Sequence, residues 1–167
     1  LGNKLILDKI PKRIVSLVPS QTEYLFDLGL QDSIVGITKF CIHPKDLVRN
    51  VKSVGGTKNC RLEIIDHLNP DIIIANKEEN VKEQVEELTR HYPVWTSDVT
   101  DLASACEMIE QIGSLTQTTK KAKEITLTIK ASFSQLQNPN SSLRGTKQKP
   151  TTCYLIWNDP YMTVGGD

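Results

Sequence analysis

Short β-branched runs alternate, along the first two-thirds of the chain, with segments whose apolar residues fall at helical spacing. Arg13-Ile-Val-Ser-Leu-Val18 leaves no room for a helical period and predicts a strand buried on both faces, stopped by Pro19. Ser20-Gln-Thr-Glu23 stands just before Tyr24, Leu25 and Leu28, which predicts a capping-box start to an amphipathic helix over about 20–29, closed by Gly29. Ile34-Val-Gly-Ile37 is the next buried strand, and a right-handed crossover sets it parallel to the first. The pattern then recurs. Leu62, Ile65 and Leu68 share a helical face that Asn69-Pro70 ends, and Asp71-Ile-Ile-Ile-Ala75 is a third strand. Asn80-Val-Lys-Glu83 opens a helix with Val81, Val85 and Leu88 in register, Pro93-Val-Trp-Thr96 is a fourth strand, and Leu102 to Ile112 form a helix that Gly113 ends. Lys4-Leu-Ile-Leu7 reads as an edge strand, and Val51 to Val54 as part of a loop. Strands separated by helix-length segments predict an α/β fold, a doubly wound, mainly parallel sheet, for residues 1–113.

Two stretches break the repeat. Leu115, Ala122, Ile125, Ile129, Phe133 and Leu136 keep helical spacing with no strand before them, which predicts one backbone helix on the order of 30 Å long. Asn138 to Pro150 is rich in Asn, Ser, Gly, Lys and Pro and reads as a linker. Residues 114–150 are thus helix and linker. Thr152-Cys-Tyr-Leu-Ile-Trp157 then starts a fresh strand that Asn158-Asp-Pro160 turns, so residues 151–167 begin a second, truncated α/β lobe.

Composition narrows the function. Twenty basic and twenty acidic residues cancel in a chain of 167, which implies no general polyanion-binding field and no nucleic-acid partner. No run has the length of a membrane helix, and the chain, which opens on Leu1, carries no positively charged, apolar leader. Cys41, Cys60, Cys106 and Cys153 lack paired CxxC spacing and imply no disulfide scaffold; Cys41 and Cys60, on cleft-side loops, could pair in an oxidising compartment but read better as buried free thiols. Gly55-Gly56 reads as a turn, since the GxGxxG and GKS phosphate patterns are missing.

The succession RIVSLVPSQTEYLFDLGL, VGITKFCIHP, VGGTKNCRLEII, LNPDIIIANKEEN and PVWTSD, followed by a long helix and a new strand, resembles the class III substrate-binding proteins of ABC importers, and most of all their cobalamin-binding branch. That resemblance implies two α/β lobes joined by a rigid helix, in a monomeric periplasmic or cell-surface protein. It would capture a metal chelate (cobalamin or another corrinoid, haem or an iron–siderophore) and deliver it to the permease transmembrane subunits. It also implies no catalysis and no cofactor of the protein's own.

Loops leaving carboxyl strand ends at Pro19, Thr38, Gly55, Asn76 and Ser97 gather on one sheet edge, the expected ligand cleft. The candidate ligand-binding residues there are Ser20, Gln21, Lys39, Phe40, Cys41, His43, Thr57 and Asn76, with Trp157 and Tyr161 facing them from the second lobe. By the resemblance, cobalamin binders carry aromatics on the second, third and fourth loops. Phe40 keeps one, whereas Thr57 and Asn76 put small polar groups there. Phe40 has a second reading, as cover for the sheet edge. The N–H groups opening the first helix point toward the cleft and favour an anionic ligand group. His43 is the candidate metal contact, since neutral imidazole ligates transition metals, and a loop histidine bonded to nearby backbone is its plainer reading. Glu63 matches the family's permease-docking glutamate and also suits a helix N-terminus. The alternative function is a chelatase-like enzyme of tetrapyrrole metabolism with a related fold, in which His43 would be the base; His67 and His91 lie on predicted helices away from the cleft.

Overall fold

Every run predicted above as a buried strand within residues 13–96 forms one in the protein, whose computed structural model describes residues 5–137, 155–158 and 161–163. The elements are β1 (Ile14–Ser16), α1 (Pro19–Asp27), β2 (Ile34–Ile37), α2 (Lys45–Val48), β3 (Lys52–Ser53), α3 (Leu62–Leu68), β4 (Ile72–Asn76), α4 (Lys82–Thr89), β5 (Val94–Ser97), α5 (Leu102–Leu115) and α6 (Thr119–Gln137). The five strands make one sheet of order β3-β2-β1-β4-β5, and each neighbouring pair is parallel.

Alternation along the strands sends side chains to two faces. Ile14, Ile72 and Ile74 pack with Tyr24, Leu25 and Phe26 of α1, Ile109 and Ile112 of α5 and Ala122 of α6. Val15, Leu17, Ile73 and Ala75 pack on the opposite face with Ile65 of α3 and Leu88 of α4. Both faces are covered, which is why these strands are continuous apolar runs. Each fully buried isoleucine contributes roughly 1.5–3 kcal/mol. Gly29, at φ 80°, ends α1, where its N–H donates to Phe26 O and that of Leu30 to Leu25 O, a Schellman closure. Asn69, left-handed at φ 42°, ends α3.

Several local expectations fail, each because a distant partner outweighs the local signal. Leu5–Leu7 is no strand: Leu5 and Leu7 pack on the α1 side of the core without backbone pairing, and Ile6 is exposed. The sheet edge is instead β3, two exposed residues with no strand signal of their own, held by β2 pairing. The one-turn α2 lies in what read as loop. Ser20 caps nothing, because α1 starts at Pro19, with Val18 as N-cap and no side-chain cap; proline's fixed φ suits the first helical position. The one capping box found among the described residues is Asp101 with Ser104, whose N–H lies 2.7 Å from Asp101 Oδ1 and holds that carboxyl below its usual range. Gly113 does not end α5: it lies inside the helix, where a β-carbon would come within 2.4 Å of Ala122 Cβ, so it permits the close approach of α6.

The helix α6 runs 19 residues, about 28 Å. The chain divides into two compact units, Leu1–Ile129 and Lys130–Asp167. Within the second, β6 (Leu155–Asn158) and β7 (Tyr161–Thr163) pair antiparallel. The expected linker at 138–150 and the start of the strand at 152–154 lie outside the described residues. No helix among the described residues is long and apolar enough to cross a membrane.

Asp71, at the head of β4, ties the N-terminal approach to the sheet. It accepts from Lys12 N–H at 2.9 Å and Arg13 N–H at 3.1 Å and pairs with Lys9 at 3.0 Å. The Lys12 amide foremost, then Lys9, holds its carboxyl below the ordinary range. A depressed carboxylate adds stability above its unfolded-state value near pH 4 and loses it as pH falls through the folded value. Asp71→Asn is therefore expected to lower the unfolding free energy measured in urea at pH 7 modestly, by about 1 kcal/mol at most given solvent access to Lys9. The gap from wild type should narrow as pH falls below about 4; a gap independent of pH would show that this carboxylate is not the anchor.

Candidate ligand-binding edge

The sheet order reverses between β1 and β4, and in open parallel sheets ligands sit at the carboxyl ends beside such a switch point. Side-chain amides bind the loops there into one floor. Asn80, buried, accepts from Asn76 N–H at 2.8 Å through Oδ1 and donates through Nδ2 to Leu17 O at 3.2 Å and Thr57 O at 3.0 Å. It thereby joins the loops after β1, β3 and β4. Ser97 Oγ, at the end of β5, accepts from Asn76 Nδ2 at 3.0 Å and from Gln21 Nε2, and donates to Ala75 O at 3.2 Å. The Gln21 side chain so links the first turn of α1 to the far edge strand, and its buried Oε1 has no protein partner. Asn76 Oδ1 turns the next loop by accepting from Glu78 and Glu79 N–H at 2.9 and 3.1 Å. Above this floor Lys77 pairs with Asp98 at 2.6 Å, which raises the lysine's pKa, and Lys58 donates to Glu78 O.

The loop after β2 is built differently. Cys41 is buried, with Thr22 Oγ1 at 3.2 Å and Thr38 Oγ1 at 3.3 Å from its sulfur. Lys39 N–H donates to Gly55 O at 2.7 Å and Cys41 N–H to Thr38 O at 3.1 Å. With the backbone pinned by these bonds, Lys39, Phe40, Ile42 and His43 stand outward, Phe40 51% and Ile42 62% exposed. The Lys39 ammonium lies 5.0 Å from the centroid of the Phe40 ring, within cation–π range.

The candidate residues thus separate into two sets. Ser20, Lys39, Phe40 and His43 are exposed at the edge. Gln21, Cys41 and Thr57 are buried beneath it and Asn76 is half-buried, its amide spent on Ser97 and its own loop. Trp157 and Tyr161 fall on β6 and β7, and their side chains lie outside the described residues. Glu63 is exposed in the first turn of α3. Cys41, Cys60 and Cys106 are free thiols; burial pushes the Cys60 thiol up. No group of three or more His, Cys, Asp and Glu among the described residues could hold a metal ion. His67 bonds Glu63 O at 2.7 Å on α3, and His91 follows α4 beside Glu87. Asn80 and Ser97 were missed as organisers of the edge, because Asn80 in sequence reads as a helix opener and Ser97 as an ordinary strand end.

A family profile described as "Periplasmic binding protein" matches residues 14–167. The uncharacterized ABC transporter substrate-binding lipoprotein YvrC of Bacillus subtilis (strain 168) is 28% identical over 165 residues, 96% of this chain and 52% of its own. The vitamin B12-binding protein of Vibrio campbellii is 24% identical over 156 residues, 93% of this chain and 55% of its own. The crystal structure of the iron uptake ABC transporter substrate-binding protein PiuA from Streptococcus pneumoniae superposes with a TM-score of 0.70 at 29% identity, covering 79% of this chain and 49% of that one. The chain spans about half the length of the curated relatives it matches. The family is one of binding proteins and not of enzymes. With the match running from the first residue of β1 through the last strand, and with a fold that superposes on a solved substrate-binding protein, this chain belongs to the periplasmic binding protein family.

Proposed function

We propose that this protein is the substrate-binding component of an ABC importer, and that the carboxyl edge of its parallel sheet is one wall of a site for a metal chelate: cobalamin or another corrinoid, haem or an iron–siderophore. The observation that carries the reading is the family match over residues 14–167. The names of the relatives support it, one a transporter substrate-binding lipoprotein and another a vitamin B12-binding protein. Residues 1–113 would be the first lobe, 114–150 the backbone helix and linker, and 151–167 the start of the second. Ser20, Lys39, Phe40 and His43 would touch the ligand directly. Gln21, Cys41, Thr57 and Asn76 would hold the wall in shape, and Trp157 and Tyr161 would belong to the second lobe's share. The ligand is cargo, and the protein needs no cofactor of its own. A periplasmic or cell-surface location and permease transmembrane subunits as partners follow from the same reading.

Titration of the full chain with cyanocobalamin, haemin and a ferric siderophore tests it. One of the three is expected to bind with a saturable absorbance or fluorescence change and without turnover. Binding of none would overturn the proposal.

Glu63, exposed on α3, would serve permease docking. Glu63→Ala should leave ligand affinity within the small range of surface substitutions while weakening association with the permease, by a margin that shrinks as rising salt screens the pairing in the wild type. An equal loss of ligand affinity would move Glu63 into the binding site.

A further inference from the structure

The sheet edge is chemically lopsided. On the β3, β4 and β5 side the side chains are small, polar and already bonded to one another: Thr57 is buried, and Asn76, Asn80 and Ser97 complete each other's hydrogen bonds. The lysines on these loops are engaged as well, Lys77 by Asp98 and Lys58 by the Glu78 carbonyl. On the β2 side, Phe40 and Ile42 are half or more exposed, and both rank among the large apolar side chains that the first unit leaves in solvent. Lys39 lies against the Phe40 ring and, among the described residues, has no carboxylate partner. The ring lies close to the Gly56 backbone, where a β-carbon would stand 3.4 Å from Phe40 Cε2. One end of the edge therefore offers an exposed aromatic face, an adjoining aliphatic surface and an ammonium with no carboxylate partner among the described residues. The other end offers a hydrogen-bonded polar floor of Asn76, Asn80 and Ser97, with the half-buried Trp95 of β5 the aromatic nearest it in sequence.

We propose that Lys39, Phe40 and Ile42 form the discriminating surface of this lobe, and that it selects an anionic chelate presenting an aromatic or conjugated face over a neutral corrinoid. The proposal rests on the metal-chelate reading and narrows it. An ammonium beside a ring recognises a ligand in which negative oxygens adjoin a flat π-system: the oxygens pair with Lys39 while the plane covers Phe40 and Ile42. A neutral, bulky macrocycle would gain from the ring alone. Across the floor, a corrin edge would meet Asn76, whose amide is bonded to Ser97 within the protein, and the loop of Thr57, whose carbonyl is taken by Asn80.

The test is equilibrium titration of the full chain with a ferric catecholate, haemin and cyanocobalamin, for wild type, Lys39→Gln, Phe40→Leu and Phe40→Ala, at low and high salt. A ferric catecholate and haemin share the recognised chemistry, and their separate titrations tell which source supplies it. Wild type should bind at least one of them about ten-fold or more tighter than cyanocobalamin. Lys39→Gln should weaken that ligand about five-fold, abolish part of its salt dependence and leave cyanocobalamin unchanged. Phe40→Ala should weaken it more than Phe40→Leu does, because leucine keeps apolar cover without the ring. Tighter binding of cyanocobalamin, or a Lys39→Gln effect equal for all three ligands, would overturn the inference and leave the metal-chelate reading standing. Binding of none would overturn both.

Discussion

Asn80→Ala is expected to destabilise the protein by about 3 kcal/mol and to loosen three loops at once. The substitution strands Asn76 N–H and the carbonyls of Leu17 and Thr57, which the Asn80 amide now satisfies at 2.8, 3.2 and 3.0 Å. A buried polar group left without its partner costs about 1–3 kcal/mol. The sum falls short of three full penalties because water can enter at the sheet edge once the side chain is gone. Asn80→Asp keeps the acceptor for Asn76 and loses both donors, placing a carboxylate against two carbonyl oxygens. Burial and those oxygens would raise its pKa, so Asn80→Asp should be least stable at neutral pH and recover as pH falls and the acid protonates. Chemical denaturation measures the loss, and amide hydrogen exchange over 55–60 and 76–80 locates it. A change below about 0.5 kcal/mol, the usual size for an inconsequential surface site, would mean that the amide network does not organise the edge. If the loosened loops are the ligand wall, ligand affinity should fall together with their protection from exchange.

Gly36→Val is expected to be the most damaging substitution in the sheet. Gly36 sits in the middle of β2, and its need for glycine is one of space. A β-carbon there would lie 2.7 Å from Leu68 Cδ1, 2.9 Å from Val54 Cγ1 and 3.1 Å from Val15 Cγ2. Val15 and Val54 are fully buried, so only Leu68, half-buried at the end of α3, can yield. Forcing extra methyl groups into a packed core costs typically about 1–3 kcal/mol. For alanine part of that is returned, since a glycine in a strand loses about 0.5–1 kcal/mol more on folding. Gly36→Ala should therefore cost about 1 kcal/mol and Gly36→Val more than about 3 kcal/mol. The mechanism predicts coupling. Leu68→Ala removes the atom that the new β-carbon strikes, so in the Gly36→Ala, Leu68→Ala double mutant the losses should add to less than their sum, by about 0.5 kcal/mol or more. Strict additivity would show that α3 is not what confines position 36.

Both predictions fall where the chain's local signals are weakest. The strands at 34–37 and 72–76 were legible because a strand buried on both faces must be apolar at nearly every position, whereas the half-buried edge strand at 94–97 was legible from its β-branched and aromatic residues after Pro93. Their parallel pairing follows from the helix between each pair. The ends of α1 and α3 were legible for a similar reason: Gly29 and Asn69 take left-handed backbone at the positions where helices close. Gathering Ser20, Lys39, Phe40, His43 and Asn76 along one edge needed nothing beyond the strand directions.

What the tertiary structure alone decided depends on residues far apart in sequence. β3 is a strand because β2 offers it a ladder, and Lys52-Ser53 has no propensity to announce it. Gly113 continues a helix because α6 must come close beside it, which a sequence read locally mistakes for a stop. Ser20 yields its capping role to Pro19, and Asn80, 63 residues from Leu17 and 23 from Thr57, turns inward to bind both. Which candidate residues face solvent and which hold the floor was settled in the same way. Gln21 and Thr57 are as polar as Lys39, but a buried amide or hydroxyl needs a partner, and where those partners lie is set only once the five strand ends have been brought together.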